Sequence, residues 1–354
     1  MSLLSKRWRW MWVSSPFLYF NGVTDIPLSK VNNPGWIFKF FYDCLTCHEK
    51  YMQVPETSIT SFKFEKYYML KHDGTRPVND WLSFVVQRNV KELELCYNNY
   101  LLPQFVLNAS SLTVLKLTSL KLEAPYASTF PSLKVLSLRN MKLDSKSLQN
   151  LISGCPVIED LDLRIDLVFD VSKTLENPSL LNVNFPKQWL ESLISNLPLL
   201  ERFAFVCRNS EFHNVSIRSH SLKSLLISVG SFTETSFSIR TPNLTFLEFI
   251  SFQKPVISIE APNLFEANVK LSEIYWSKDL YNDLVHFFKN LDCLKKLKLY
   301  ISPKQDYIFS ESIRKTLSPP LPNLKRLDAF VSIQDGHFVG NYVSRDNCCG
   351  YVDE

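Results

Sequence analysis

The chain has 354 residues, 45% of them hydrophobic and 21% charged, so it can bury a large core and is not disordered over its length. Its 39 basic and 35 acidic residues leave a net charge of +4, too mild for the clustered footprint of a nucleic-acid binder. No apolar run of about 18 residues predicts a transmembrane helix, and only 8 glycines against 26 phenylalanines argue against loops that cradle a phosphate with bare backbone.

The first twenty residues, MSLLSKRWRWMWVSSPFLYF, have no continuous apolar centre and no small-residue cleavage site, so they do not read as a secretory leader. Leu4, Trp8 and Trp12 stand four apart and form one apolar helical stripe. Lys6, Arg7 and Arg9 beside them are too few to favour a surface that stacks single-stranded nucleic acid. Downstream, GWIFKFFYDCLTCHEKYM has the spacing of an amphipathic helix with Cys44 and Cys47 on one side. With His48 these would supply part of a zinc site, but no second CxxC or HxxxH completes the ligand set. Neither a metal nor a cofactor is expected. The unpaired cysteines elsewhere fit small buried hydrophobes in a reducing compartment.

From residue 59 onward the apolar residues recur as L-x-x-L-x-L. The copies are Ile59/Phe62/Phe64, Val90/Leu93/Leu95, Leu112/Leu115/Leu117, Leu133/Leu136/Leu138, Ile158/Leu161/Leu163 and Leu180/Val183/Phe185. They continue with Leu200/Phe203/Phe205, Leu222/Leu225/Ile227, Leu244/Leu247/Phe249, Leu264/Ala267/Val269, Leu294/Leu297/Leu299 and Leu324/Leu327/Ala329. The step is about 20 to 25 residues, lengthening to about 30 near residues 59, 264 and 294, in or just beyond the leucine-rich-repeat range. The second and third apolar positions fall on one face of a short strand, and the first sits where the chain turns into it. One repeat cannot bury the three alone, so repeats must stack.

The connections agree. FPSLKVL, TPNLTFLEF, APNLFEANV and LPNLKRLDAF place Pro just before the strand, where it ends the preceding element without removing a ladder hydrogen bond. PVNDWLSFVVQRNV, DSKSLQNLISGC, PKQWLESLISNLP and KDLYNDLVHFFKNL carry helical spacing, with Asp144 and Ser145 as candidate N-caps of the second. Shorter connections predict irregular segments or single turns. The fold class is therefore α/β: a leucine-rich-repeat solenoid with a curved parallel sheet on its concave side and helices and irregular turns on its convex side.

No nucleophile elbow, P-loop or HExxH stands in the chain, and no enzymatic activity is expected. The sequons at Asn108, Asn214 and Asn243 read as chance occurrences in a chain without a leader. The candidate partner-binding residues flank the buried fourth position of each motif and point to the concave face: Glu92, Glu94, Asp160 and Asp162, then Arg202, Phe246, Glu248, Lys296, Lys298 and Arg326. Early repeats are acidic and the last two basic, so a protein partner with reversed charges is expected along this face.

The opening LLSKRWRWMWVSSPFLYFN, followed by such repeats, resembles the plant F-box/LRR family. Leu4, Ser5, Lys6, Arg7, Trp8, Arg9, Trp12, Pro16, Leu18 and Phe20 match the end of that family's F-box. VNDWLSFVVQRNVKELEL and LISGCPVIEDLDL resemble its first helix-plus-strand and a typical repeat. The resemblance implies a short helical F-box remnant at 1–21, a helical connector at 22–55, the solenoid at 56–335 and a C-terminal tail at 336–354. It implies a substrate-recognition subunit of an SCF-type ubiquitin ligase in the cytoplasm or nucleus. Leu3, Leu4, Trp8 and Trp12 would meet a Skp-type adaptor, which joins a cullin, while the repeats hold an unidentified target protein. No contact with nucleic acid or membrane is implied. The match starts inside the last third of the F-box, so the alternative is a repeat protein no longer coupled to the ligase.

Overall fold

A computed structural model describes residues 15–21, 59–66, 76–122, 129–141, 143, 145–165, 189–207, 214–229, 236–251, 256–271, 287–289, 291–301, 321–333 and 337–344. Most described repeats after the first start with a similar turn. The amide three residues on bonds back to a carbonyl, as in Leu112 to Ala109, Leu133 to Phe130, Leu244 to Thr241 and Leu264 to Ala261, at 3.0–3.3 Å. Pro131, Pro242 and Pro262 sit just after the accepting residue, where a fixed φ pre-sets the turn. The residue entering each strand then offers one carbonyl to two successive amides of the next repeat: Lys91 to Thr113 and Val114, Thr113 to Lys134 and Val135, Lys223 to Thr245 and Phe246. That shared acceptor fixes a register in which equivalent motif positions lie side by side.

The chain divides into two compact units, Met1–Ile165 and Asp166–Glu354. In the first, strands β1 (Phe17–Asn21), β2 (Ser61–Lys66), β3 (Glu92–Tyr97), β4 (Val114–Thr118), β5 (Val135–Arg139) and β6 (Asp160–Ile165) pair in parallel and in sequence order. Phe62, Leu93, Leu115, Leu136 and Leu161 form one buried column, and Phe64, Leu95, Leu117, Leu138 and Leu163 the next. Helices α1 (Arg76–Gln87), α2 (Gln104–Leu107) and α3 (Ser145–Ser153) lie in the connections. Helix α1 buries Val78, Trp81, Leu82 and Val85, three and four apart, with Trp81 edge-on to Phe64 at 5.7 Å.

Asparagine fills three of the four left-handed non-glycine positions among the described residues, and serine the fourth. Asn89 ends α1 at φ 56, its amide bonding Val86 while the Val90 amide bonds Val85, a Schellman closure. Asn99, Ser119 and Asn140 take the same conformation after β3, β4 and β5, and each amide donates to the following repeat. Asx side chains tolerate this region best among residues with a Cβ, which reconciles many tight turns with few glycines.

The second unit holds α4 (Trp189–Ser195), β7 (Arg202–Cys207), β8 (Asn214–Arg218), β9 (Ser224–Val229), β10 (Ser236–Arg240), β11 (Phe246–Ser251), β12 (Val256–Glu260), β13 (Glu266–Leu271), β14 (Lys296–Ile301), β15 (Arg326–Ile333) and β16 (His337–Ser344). Strands β7, β9, β11, β13, β14 and β15 pair in parallel. Here the buried columns are Phe203–Leu225–Leu247–Ala267 and Phe205–Ile227–Phe249–Val269.

Three connections expected to be irregular instead form a second parallel sheet, ordered β12-β10-β8. The segments NVSIR and SFSIR alternate apolar and polar residues and bury Val215, Ile217, Phe237 and Ile239. Phe237 meets Phe249 of β11 edge-on at 5.2 Å, joining the two layers. Alternation over five residues suffices once the neighbouring repeat supplies the ladder partner.

The expected boundaries also move. Phe17–Asn21, placed by the sequence in a helical remnant, is a strand: Leu18 and Phe20 are buried while Phe17 and Tyr19 are exposed, and the Pro16 carbonyl accepts the Thr60 and Ser61 amides as its counterparts do in later repeats. The sheet thus starts upstream of residue 56. At the other end β16 falls within the expected tail at 336–354 and pairs antiparallel with β15. The repeat at 180–185, the Cys44/Cys47/His48 segment and Asp144 lie outside the described residues, as does most of the fourth expected helix; Ser145 is the first residue of α3 rather than its cap.

Replacing Leu225 by Ala opens a void between Phe203 and Leu247 and is expected to cost about 2–5 kcal/mol in urea unfolding. Cys155 is buried, donates to the Leu151 carbonyl at 3.2 Å, and burial pushes its thiol up to about 12. Iodoacetamide at pH 8 should spare it in the native chain and modify it in denaturant, read by peptide mass spectrometry.

Candidate functional site

The alternation that buries one set of columns leaves the other set on the open face of each sheet. In the first unit this face is laced by ion pairs across strands. Lys63 lies 2.7 Å from Glu65 and 3.0 Å from Glu94, and Lys116 reaches the same Glu94 at 3.8 Å. Hydrogen bonds from Lys63 to the two carboxylates hold its ammonium well above the ordinary lysine value. The Tyr19 ring lies 5.0 Å from Lys63 Nζ, and the Tyr19 hydroxyl donates to Glu65 at 3.1 Å.

A second cluster centres on Asp162, which accepts from Arg139 Nη2 at 2.5 Å, from Arg164 Nε at 3.0 Å and from the Ser137 hydroxyl at 3.4 Å. Of the expected residues, Glu94 and Asp162 are therefore bound up inside the chain. Glu92 is exposed at the start of β3, and Asp160 holds the matching place in β6, three strands along the row Glu92–Val114–Val135–Asp160. The charges of Glu94 and Asp162 are neutralised by lysines and arginines two residues or one strand away.

The second unit's open face is built differently. The row Arg202–Ser224–Phe246–Glu266–Lys296–Arg326 brings four expected residues into line, and Ala204–Leu226–Glu248–Asn268–Lys298–Asp328 brings Glu248 and Lys298 into the next. Glu248 pairs with Lys270 at 3.7 Å, and Arg326 Nε meets both oxygens of the buried Asp328 at 3.1 Å. Lys296 and Lys298 share Glu266 at 4.0 and 3.9 Å, the loose limit of an ion pair. Aromatic side chains stand among these charges. Tyr300 and Phe330 stack at 4.6 Å with Lys270 over the Tyr300 ring, and Phe265 is 41% exposed with Lys295 and Lys296 beside its face.

Sequence reasoning missed the groups that tie one repeat to the next. At five repeats the residue before the leading Leu donates from its side chain to a carbonyl of the preceding repeat: Ser111 to Val90, Ser221 to Leu200, Asn243 to His220, Asn263 to Pro242 and Asn323 to Asp292, at 2.7–2.9 Å. The recurring P-N-L phrase was the available signal. The adaptor-facing Leu3, Leu4, Trp8 and Trp12 lie outside the described residues. Among the described residues no group of three or more His, Cys, Asp or Glu is placed to hold a metal ion, and no helix is long and apolar enough to cross a membrane.

A family model described as FBD-associated F-box protein At5g56370, LRR repeats, matches residues 78–174 and 169–265. FBD-associated F-box protein At4g10400 of Arabidopsis thaliana is 26% identical over 317 residues, 86% of this chain and 72% of that protein. FBD-associated F-box protein At5g38590 from the same plant is 32% identical over 198 residues, 53% of this chain and 45% of that protein, and F-box/LRR-repeat protein 25 is 29% identical over 181 residues, 49% and 62%. Among such Arabidopsis relatives the matched share of the relative ranges from 36% to 72%.

Because Lys63 bridges two carboxylates, its replacement by Met should lower stability by about 0.5–1 kcal/mol and the difference should shrink in high salt. Its raised ammonium value adds stability present in full below the ordinary 10.5 and lost as pH climbs above it, so wild type and K63M should converge in urea melts at strongly alkaline pH.

Proposed function

The chain belongs to the plant F-box/FBD/LRR-repeat family, and from that premise we propose that it is the substrate-recognition subunit of an SCF-type ubiquitin ligase. Its repeats hold a target protein on the open faces of their sheets, with Glu92 and Asp160 in the first unit and Arg202, Phe246, Lys296 and Lys298 in the second as the contacting side chains. The N-terminal Leu3, Leu4, Trp8 and Trp12 meet the Skp-type adaptor, and the adaptor brings the cullin. The chain itself performs no chemistry and works in the cytoplasm or nucleus. Family membership carries the reading. The open face supports it, since rows of charged, aliphatic and aromatic side chains on a rigid ladder suit protein recognition.

Co-expression with a plant Skp-type adaptor, followed by size-exclusion chromatography, tests the coupling. A co-eluting complex weakened at least about tenfold by W8A/W12A is expected, because buried Trp anchors dominate small interfaces. Separate elution of the two wild-type proteins would leave the chain a repeat interaction protein uncoupled from the ligase.

A further inference from the structure

The charge on the second unit is concentrated at its C-terminal strands. On β13, β14 and β15 and the residues entering them stand Lys270, Lys295, Lys296, Lys298, Lys325 and Arg326, against Glu266 and Asp328 on the same segments and Glu248 of β11, which pairs with Lys270. Six cations against these three carboxylates leave an excess of three positive charges in the patch. Arg326 is held by Asp328 at 3.1 Å, but the two β14 lysines are loosely paired: Glu266 is divided between Lys296 and Lys298 at 4.0 and 3.9 Å, whereas Lys63 sits 2.7 Å from Glu65. Lys296 and Lys298 keep 46% and 40% of their side-chain surface in solvent. No carboxylate among the described residues lies within ion-pair distance of Lys295, whose neighbour is the exposed Phe265 ring, 5.5 Å from its Nζ.

We propose that this patch is the docking surface for an acidic segment of a partner protein that carries an apolar side chain among its carboxylates. Adjacent strands about 4.8 Å apart and outward residues about 7 Å apart along a strand set the lysines at the spacing of carboxylates on an extended peptide. Phe265 at the strand entrance and the Tyr300/Phe330 stack give an apolar side chain a seat on either side of the ammonium groups. Glu266 between the two lysines breaks the positive field that a continuous phosphate backbone would need, which favours a peptide whose carboxylates are spaced to avoid it. The inference deepens the proposed function by naming the chemistry of the recognised segment, and rests on that reading for its biological setting alone.

The test is fluorescence anisotropy of the intact chain with a labelled dodecapeptide in which Asp and Glu flank a central Phe-Leu pair. Wild type should bind it, K296E/K298E should bind at least about thirtyfold more weakly, and K116E on the first unit should stay within about twofold, since only local complementary charge contributes. K296R/K298R, which keeps the charge, should bind as wild type does, and F265A should bind several-fold more weakly with the same salt dependence. Binding unaltered in K296E/K298E, equal binding of a Lys-for-Asp/Glu peptide, or tighter binding of a twelve-nucleotide single strand would each overturn the proposal. Adaptor co-elution on the same preparations keeps the two readings apart: its loss bears on ligase coupling, whereas loss of peptide binding with co-elution intact bears on the acidic partner.

Discussion

One carbonyl serving two amides at the mouth of each strand is the constraint from which the rest follows. It recurs at Pro16, Thr60, Lys91, Thr113, Lys134, Glu201, Lys223, Thr245, Phe265 and Lys295, each accepting from the next strand in its stack. A strand held this way cannot slip by one residue without exposing its whole apolar set. Equivalent motif positions therefore align into columns, and a property of one residue becomes a property of a row. Burial is the first consequence: columns of Leu and Phe need no long-range pairing code, since each residue packs on its counterpart one repeat away.

The second consequence concerns charge. A carboxylate at the fifth motif position stands about 4.8 Å from whatever fills that position in the next repeat. In the first unit Glu94 stands between Lys63 and Lys116 at that position, and Asp162, opposite Ser137, reaches Arg139 diagonally on β5, so both become staples between strands. In the second unit β14 carries Lys296 and Lys298 two residues apart on one strand, and Glu266 of β13 serves both. The same geometry thus pairs charge closely across the strands of the first unit and leaves Lys296 and Lys298 loosely paired on the second. Exposed ion pairs contribute little to stability individually, so the distinction lies mainly in what each face presents to a partner.

Much of the ladder was legible in the amino-acid sequence because the core positions are large, apolar and periodic; Leu112, Leu115 and Leu117 announce themselves and all three are fully buried. The helices at Arg76–Gln87, Ser145–Ser153 and Trp189–Ser195 were legible from spacing for the same reason. Strand β1 was not, because its FLYFN sits in a segment whose upstream tryptophans are spaced as a helix. The second sheet was hidden too, since five alternating residues become a strand only when the neighbouring repeats offer ladder partners. The open face was legible as positions but not as electrostatics. Which carboxylate is neutralised depends on the residue one strand away, and that pairing exists only in the register.

The account's central claim is that recognition resides in this chain while a cullin ligase supplies the chemistry. Reconstitution of ubiquitin transfer with the chain, a Skp-type adaptor, a cullin–RING pair and the activating and conjugating enzymes measures it directly. The account predicts ubiquitin conjugates on the chain itself that vanish when the adaptor or the cullin is left out. An absence of conjugates in the complete mixture, alongside an F-box subunit that is modified in the same components, would contradict it.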